Sequence, residues 1–165
     1  MNTYRYFIYV ILVIALVSFS FKLQAQTDSL PLPRFASLGS DKINLRTGPG
    51  VNYPVEWVYV RQDFPIEIIA EFENWRKIRD REGITGWILK NMLQNKRTVI
   101  ITNKEEIIRN KPNNDATAIA KLEQGVIARL LSCHQLWCKI NVQNYEGWIK
   151  QENFWGTYSG EDFNN

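Results

Sequence analysis

The stretch Ile43-Asn44-Leu45-Arg46-Thr47-Gly48-Pro49-Gly50 decides the fold of this chain. It is followed, about thirty residues later, by Trp75-Arg76-Lys77-Ile78 and then by Gly86-Trp87-Ile88. Alternating apolar residues predict strands. Pro and Gly together predict a loop, because Pro lacks an N–H donor and Gly reaches unusual dihedral angles. The three segments therefore predict one small all-β unit.

The same order of segments recurs downstream. Ile108-Arg109-Asn110-Lys111-Pro112, Trp137-Cys138-Lys139-Ile140 and Gly147-Trp148-Ile149 follow the first set at offsets of 63, 62 and 61 residues. Single-residue deletions in loops are enough to explain the change in offset. The sequence therefore predicts an all-β protein with two tandem small barrels, over residues 35–95 and 98–158.

The first quarter of the chain has a different composition. A short basic start precedes an uncharged apolar run over residues 6–21, and small Ala25 precedes a polar segment. This order predicts a secretory signal peptide over residues 1–25, followed by a proline-bearing linker over residues 26–34. The apolar run is shorter than the ~20 residues that span a bilayer as a helix. An uncleaved inner-membrane anchor is the alternative, because Lys22 closely follows the run.

Charge and location restrict the partners. Cleavage would remove Arg5 and Lys22 and would lower the net charge from +3 to about +1. A nearly neutral protein lacks the broad positive field that binds phosphates, so we expect no nucleic-acid partner. Export predicts a periplasmic or secreted protein, with a membrane contact only if the signal segment is retained. Residues 159–165 are polar and acidic, and they predict a disordered tail.

Both cysteines lie in the second unit, where Cys133 and Cys138 bracket four residues. Export places them in an oxidising compartment, and a hairpin with a four-residue loop would make them cross-strand partners, so we predict a disulfide. The alternative is a zinc site, but Cys-His-Cys offers three ligands with no fourth nearby, so we expect no metal and no cofactor. His134 directly follows Cys133, so their side chains diverge, and we predict that the protein is not an enzyme.

The alternation of side chains along a strand predicts which face of the strand each tryptophan occupies. Trp75 and Ile78 are three residues apart, so they lie on opposite faces of their strand. If Ile78 points into the core, Trp75 points outward, and the same holds for Trp137 in the second unit. An outward tryptophan requires a cover. The cover is the neighbouring unit, the aromatic segment over residues 53–59, or a bound ligand.

These residues make the chain resemble the bacterial SH3 (SH3b) family, in two copies. The chain is also similar to an exported tandem SH3-like family of alphaproteobacteria. That second likeness rests on Pro33-Arg34-Phe35-Ala36-Ser37-Leu38, Tyr53-Pro54, Trp57-Val58-Tyr59, Pro65-Ile66-Glu67-Ile68, Trp75-Arg76-Lys77-Ile78-Arg79-Asp80, Trp137-Cys138 and Trp155-Gly156-Thr157-Tyr158. The second copy departs from the SH3b pattern, because Asn110-Lys111-Pro112-Asn113 replaces Thr47-Gly48-Pro49-Gly50. Whether its loop keeps the same conformation is left open by the sequence.

The resemblance implies small, strongly bent barrels that bind without chemistry. SH3b modules often bring cell-wall hydrolases to peptidoglycan or mediate contacts between envelope proteins. We therefore expect a binding module for peptidoglycan or for an envelope peptide or protein. The alternative is a structural or assembly subunit of the cell envelope whose two barrels pack on each other without a small ligand. By analogy with SH3 domains, the candidate ligand groove contains Arg46, Tyr53, Trp57, Tyr59, Trp75 and Trp87.

Overall fold

The computed structural model describes residues 30–164. Their regular secondary structure consists of fifteen β-strands and two short 3-10 turns, Lys90–Met92 and Gln151–Asn153. The predicted signal peptide lies outside the described residues, and so does its cleavage site. Within the described part of the chain, no helix is long and apolar enough to cross a membrane.

The first barrel is built from seven strands. Their bounds are β1 Arg34–Leu38, β2 Ile43–Arg46, β3 Val55–Tyr59, β4 Pro65–Phe72, β5 Trp75–Arg79, β6 Thr85–Leu89 and β7 Leu93–Gln94. They are hydrogen-bonded in the order β3-β2-β6-β5-β4-β1-β7. Alternation in β2 buries Ile43 and Leu45 and leaves Asn44 exposed, because successive side chains of a strand point to opposite faces.

The second barrel repeats this plan. Its strands are β8 Thr98–Ile101, β9 Glu105–Arg109, β10 Ala118–Glu123, β11 Ile127–His134, β12 Trp137–Val142, β13 Tyr145–Lys150, β14 Phe154–Trp155 and β15 Phe163–Asn164. The order is β10-β9-β13-β12-β11-β8-β14, and β15 pairs with β11. Apart from β15, each strand has a counterpart at the same place in the first barrel. The prediction of an all-β fold with two tandem barrels is therefore confirmed.

Each barrel has its own hydrophobic core. The first core consists of Ala36, Leu38, Ile43, Leu45, Tyr59, Ile66, Ile68, Ile78 and Ile88. The second consists of Val99, Ile101, Ile108, Leu122, Ala128, Leu130, Cys133, Cys138, Ile140, Ile149 and Phe154. A fully buried Leu or Ile contributes about 1.5–3 kcal/mol relative to an exposed one, so these side chains are the main source of stability.

The two barrels contact each other directly. The Phe35 ring of the first barrel packs against Trp155 and Tyr158 of the second, with centroid distances of 5.0 and 4.9 Å. The Thr98 hydroxyl donates a hydrogen bond of 2.7 Å to the carbonyl oxygen of Asp63. Phe35 is only 7% exposed, so the junction contributes to the burial of this aromatic side chain.

The disulfide between Cys133 and Cys138 is confirmed. The two cysteines are cross-strand partners in the β11–β12 hairpin. The hairpin loop is shorter than the four residues expected, because His134 and Trp137 are themselves paired and only Gln135 and Leu136 form the turn. Gln135 adopts a positive φ of 54°, as the first residue of such a tight turn often does.

The tail that the composition predicts to be disordered is folded over residues 159–164. Its strand β15 pairs with β11 and aligns Phe163 with Cys133. Glu161 forms an ion pair of 2.9 Å with Arg97, whose guanidinium lies 4.9 Å from the Phe163 ring centroid. The prediction is wrong because it considers only the polar composition. The segment is anchored by Glu161, by Phe163 and by the Gly160 N–H, which donates a hydrogen bond of 2.9 Å to Gln151 Oε1.

Candidate ligand clefts

A cleft of about 230 Å³ lies on the first barrel. Its lining residues come from β2 and its flanking loops, from the first residue of β5 and from the end of β6 with the 3-10 turn. They are Lys42, Ile43, Asn44, Arg46, Val51, Trp75, Leu89 and Met92. Val51, Leu89 and Met92 give the cleft an apolar wall beside the indole of Trp75.

Strand register explains how these residues meet. Trp75 is paired with Leu89 across β5 and β6, and Arg46 is paired with Trp87 across β2 and β6. Ile78 is fully buried in the core, and Trp75 lies outside that core cluster. Trp75 is nevertheless only 8% exposed, because residues of its own barrel line the cleft around it. No residue of the second barrel is part of this lining.

The loop after β2 is held closed by an arginine. Arg46 Nη1 donates a hydrogen bond of 2.7 Å to the carbonyl oxygen of Tyr53, seven residues later. The backbone N–H of Thr47 donates to the carbonyl oxygen of Pro54 at 3.1 Å. Gly48 lies directly under the Tyr53 ring, since a Cβ built on Gly48 would lie 2.4 Å from ring carbons. These contacts fix the loop that brings Val51 to the cleft.

The structure brings together only some of the predicted groove residues. Arg46 and Trp75 line the cleft. Trp87 is half-buried and lies two residue pairs along the β5–β6 ladder from Trp75, on the same face. Tyr53 and Trp57 are 48% and 49% exposed and do not line the cleft.

Tyr59 does not belong to the groove. Its pairing with Ile43 places it on the core side of β3, and it is 7% exposed. Its hydroxyl donates a hydrogen bond of 2.8 Å to Asp80 Oδ2. Burial, followed by this hydrogen bond, raises the pKa of Tyr59 well above its ordinary value. The aromatic-groove prediction fails here because it selects Tyr59 by residue type and does not apply strand parity to β3.

The sequence prediction missed most of the cleft lining, namely Lys42, Ile43, Asn44, Val51, Leu89 and Met92. Parity could have found three of these residues. Lys42 and Asn44 alternate with Arg46, so they share its strand face. Leu89 is two residues from Trp87 and shares a face with it in the same way. Parity gives no signal for the remaining three residues. Ile43 belongs to the core, and Val51 and Met92 reach the cleft through the loop after β2 and through the 3-10 turn.

The second barrel has a cleft at the corresponding place. It measures about 180 Å³ and is lined by Glu106, Ile107, Arg109, Asn114, Trp137, Lys150, Glu152 and Asn153. At the offsets of 63, 62 and 61 residues, Arg109 corresponds to Arg46 and Trp137 to Trp75. The apolar wall is replaced, since Asn114, Lys150 and Asn153 stand where the first barrel has Val51, Leu89 and Met92.

The loop of the second barrel keeps its conformation despite its different sequence. Arg109 Nη1 donates a hydrogen bond of 2.7 Å to the carbonyl oxygen of Ala116, again seven residues later. The N–H of Asn110 donates to the carbonyl oxygen of Thr117 at 3.0 Å, as Thr47 does to Pro54. The arginine and the backbone bonds therefore define this loop, and the Gly-Pro-Gly sequence is not required for it.

The described lining of the two clefts includes no cysteine and no histidine. Both cysteines are bonded to each other, so neither offers a thiolate to a substrate or to zinc. His134 is exposed and lies beside Asp162 at 3.7 Å, outside both clefts. In residues 30–164 no group of three His, Cys, Asp or Glu side chains is placed to hold a metal ion. What remains is an aromatic wall, an arginine and a rim of polar groups in each barrel.

Comparison with known proteins agrees with this internal duplication. The sequence profile of the family described as "Bacterial SH3 domain" matches residues 39–95 and 103–156. The chain is 25% identical over 128 residues to YrvJ of Bacillus subtilis, whose name describes an N-acetylmuramoyl-L-alanine amidase. That match covers 71% of this chain and 24% of the relative, so the chain spans about a quarter of the amidase's length.

The solved structures with some likeness include an NlpC protein and an NlpC/P60 family protein. The structure of NlpC2 from Trichomonas vaginalis matches with a TM-score of 0.35 and 17% identity, over 77% of this chain and 49% of that one. An NlpC/P60 family protein from Bacillus cereus matches with a TM-score of 0.34 and 14% identity, over 78% of this chain and 58% of that one. These TM-scores are too low to support a functional argument.

Proposed function

This chain belongs to the bacterial SH3 domain family, and from that premise we propose that it is a non-catalytic binding protein of the cell envelope. Its first barrel holds peptidoglycan, or a peptide or protein of the envelope. The observation that carries the proposal is the cleft against Trp75, where an indole face, an apolar wall and the Lys42 and Asn44 side chains meet. Trp75 is only 8% exposed, so it forms the floor of the cleft, and the exposed side chains of Val51 and Met92 add apolar surface around it.

The size of the cleft supports a polymeric ligand. Its volume of about 230 Å³ is smaller than the roughly 300–1,000 Å³ of pockets that enclose whole drug-sized ligands. A cleft of this size takes one sugar or one side chain at a time. A polymer would present many copies of such a group to the cleft.

A sedimentation assay with purified sacculi tests this proposal. Trp75→Ala should reduce the retained fraction of the protein about tenfold, since it removes the aromatic wall. Val51→Asn gives a gentler test, because Val51 is 67% exposed and the second barrel has Asn114 at this place. Val60→Asn is the matched control, since Val60 is 76% exposed and does not line the cleft. Wild-type protein that stays in the supernatant would contradict peptidoglycan binding.

An assembly role is the second candidate, and the junction of the barrels favours it. Phe35, Trp155 and Tyr158 form a continuous aromatic contact between the two units, as a rigid scaffold would require. A photo-crosslinker at Asn91, which is exposed and beside Met92, discriminates between the candidates in intact cells. Crosslinks to glycan strands support the first candidate. Crosslinks to one envelope protein, together with no retention by sacculi, support the second.

The location of the protein is part of the proposal. We infer export with cleavage after Ala25, because the order of basic, apolar and small residues is that of a signal peptide. Mass spectrometry of the protein from the periplasmic and membrane fractions would read its amino terminus. A terminus at Gln26 supports cleavage, whereas a retained apolar segment in the membrane fraction supports the anchored alternative.

A further inference from the structure

We propose that the cleft of the second barrel is a separate binding site for a zwitterionic ligand, such as a free amino acid or a short peptide with its terminal ammonium and carboxylate. The proposal does not depend on peptidoglycan binding by the first barrel. It rests on three observations: the retained shape of the cleft, the replacement of its apolar wall and the balance of its charges.

The shape of the cleft is retained because its supporting contacts are retained. Trp137 is paired with Lys150 in the register that pairs Trp75 with Leu89. The arginine that closes the loop donates a hydrogen bond of the same length, 2.7 Å, in both barrels. The second cleft is therefore a formed cavity, and its different chemistry is not the result of a collapsed loop.

The charges of the cleft are balanced. Two of its lining residues are cationic, Arg109 and Lys150, and two are anionic, Glu106 and Glu152. Lys150 and Glu152 are 3.8 Å apart, which is the outer limit of an ion pair, and the Glu152 side chain is 74% exposed. Among the described residues, neither Arg109 nor Glu106 forms an ion pair. Glu106 accepts hydrogen bonds from the Asn103 amide and from the backbone N–H of Ile107, and Arg109 Nη1 donates to Ala116. The groups of the cleft that can engage a ligand are therefore the other guanidinium N–H groups of Arg109, the Lys150 ammonium and the exposed Glu152 carboxylate.

Charge balance also selects the class of ligand. A group with one charge would be attracted by the lining charges of one sign and repelled by those of the other sign. A group with both a carboxylate and an ammonium compensates both signs, and the guanidinium of Arg109 suits the planar geometry of a carboxylate. The volume of about 180 Å³ limits the bound portion to a small molecule of amino-acid or dipeptide size.

Nuclear magnetic resonance on the full chain tests the proposal with three matched probes. Alanyl-alanine carries both charges, N-acetyl-alanyl-alanine lacks the ammonium, and alanyl-alanine amide lacks the carboxylate. The indole N–H signal of Trp137 should shift saturably with alanyl-alanine, with a Kd on the order of 1 mM, as expected for a few contacts with a small ligand. Each blocked probe should bind at least about fivefold more weakly, since it leaves charges of one sign without a partner. The indole signal of Trp75 should stay in place.

Two variants complete the test. Lys150→Leu installs the residue that the first barrel has at this place, so it should keep the fold and abolish the shift of Trp137. Glu152→Gln changes an exposed carboxylate, and it should weaken binding of alanyl-alanine more than binding of N-acetyl-alanyl-alanine. The proposal is overturned if Trp137 does not respond saturably, if all three probes act alike, or if Trp75 responds equally. If Lys150→Leu lowers the yield of folded protein, Glu152→Gln alone decides the question.

Discussion

At the scale of single residues, the two barrels place different chemistry at the same point of the core. In the first barrel, Asp80 is 4% exposed, accepts the Tyr59 hydroxyl and also accepts the backbone N–H of Ile84 at 2.8 Å. In the second barrel, the corresponding positions hold Leu122 and Val142, which pack with the apolar core. The fold therefore accepts either a hydrogen-bonded polar pair or an apolar pair at this place.

A double-mutant cycle on Tyr59 and Asp80 follows from this comparison. Tyr59→Leu alone should cost about 1–3 kcal/mol of unfolding free energy or more, because it leaves a buried carboxylate without one of its donors. Asp80→Val alone should cost more, since both the Tyr59 hydroxyl and the Ile84 N–H lose their acceptor. The double variant, Tyr59→Leu with Asp80→Val, installs the residue types of the second barrel and should cost less than the two single changes together. Chemical denaturation measures all three, and strict additivity would contradict the pairing.

Gly48 is required by its neighbour rather than by its own backbone. A Cβ at Gly48 would lie 2.4 Å from the Tyr53 ring, whereas the second barrel has Lys111 and Ala116 at these two positions. Gly48→Ala should therefore displace the Tyr53 ring and destabilise the barrel by about 1–3 kcal/mol, the usual cost of overpacking. Adding Tyr53→Ala should recover most of that loss. Thermal unfolding measures the effect, and a Gly48→Ala variant as stable as wild type would refute the explanation.

At the scale of elements, one hairpin is closed in two ways. In the first barrel, Glu71 and Arg76 are cross-strand partners and form an ion pair of 3.0 Å. At the same positions the second barrel has the cross-strand disulfide of Cys133 and Cys138. Both links join β-strands beside a two-residue turn, and both are largely buried. A charged pair in this place needs hydrogen bonds to all its groups, whereas the disulfide needs an oxidising compartment.

Reduction should therefore weaken only the second barrel. Its disulfide closes a short loop, so the chain-entropy estimate for its loss is about 2 kcal/mol. We expect dithiothreitol to lower the unfolding free energy of the second barrel by that amount and to leave the first barrel unchanged. Hydrogen exchange resolved by residue separates the two barrels. The variant with Cys133→Ser and Cys138→Ser is the control, and it should show no further response to dithiothreitol.

The repeat and its strands could be predicted well from the sequence, because alternation and the Trp-led and Gly-Trp segments are local signals. The disulfide could be predicted for the same reason, since only four residues lie between the two cysteines. The cleft was predicted only in part. Arg46 and Trp75 were found by type and parity, but Val51 and Met92 reach the cleft through a loop and a 3-10 turn whose paths are set by tertiary hydrogen bonds. The folded tail was missed because its anchor, Arg97, lies more than sixty residues away.

At the scale of the whole molecule, the junction ties the barrels together through a tyrosine hydroxyl. Tyr158 of the second barrel donates a hydrogen bond of 2.9 Å to Glu67 Oε1 of the first. Glu67 is 4% exposed, and its other oxygen accepts two hydrogen bonds from Arg79. Burial and the hydrogen bond to Glu67 raise the pKa of Tyr158 above its ordinary value of 10.0.

The junction should therefore weaken in alkaline solution. A tyrosine whose pKa is higher in the folded state stabilises that state at pH values below about 10, and this contribution is lost as the pH rises further. The pKa of Tyr59 is also raised, so Tyr59 adds to the loss of stability of the first barrel at high pH. We expect the unfolding free energy to fall as pH rises from about 9 to about 11, and to fall less steeply in Tyr158→Phe. Equal slopes for Tyr158→Phe and wild type would exclude a role for the junction tyrosine.

Arg34 and Arg97 occupy equivalent positions in the two repeats, but their counter-ions come from different parts of the chain. Arg34 pairs with Glu71 inside the first barrel. Cys133 stands at the place of Glu71 in the second barrel, and the counter-ion of Arg97 is Glu161, which follows the last strand shared by both repeats. The second repeat therefore depends on a residue beyond the repeated strands to neutralise its arginine, whereas the first repeat does not. Anyone who excises the second barrel as a stand-alone module needs to carry residues 159–164 with it, or Arg97 loses its neutralising carboxylate.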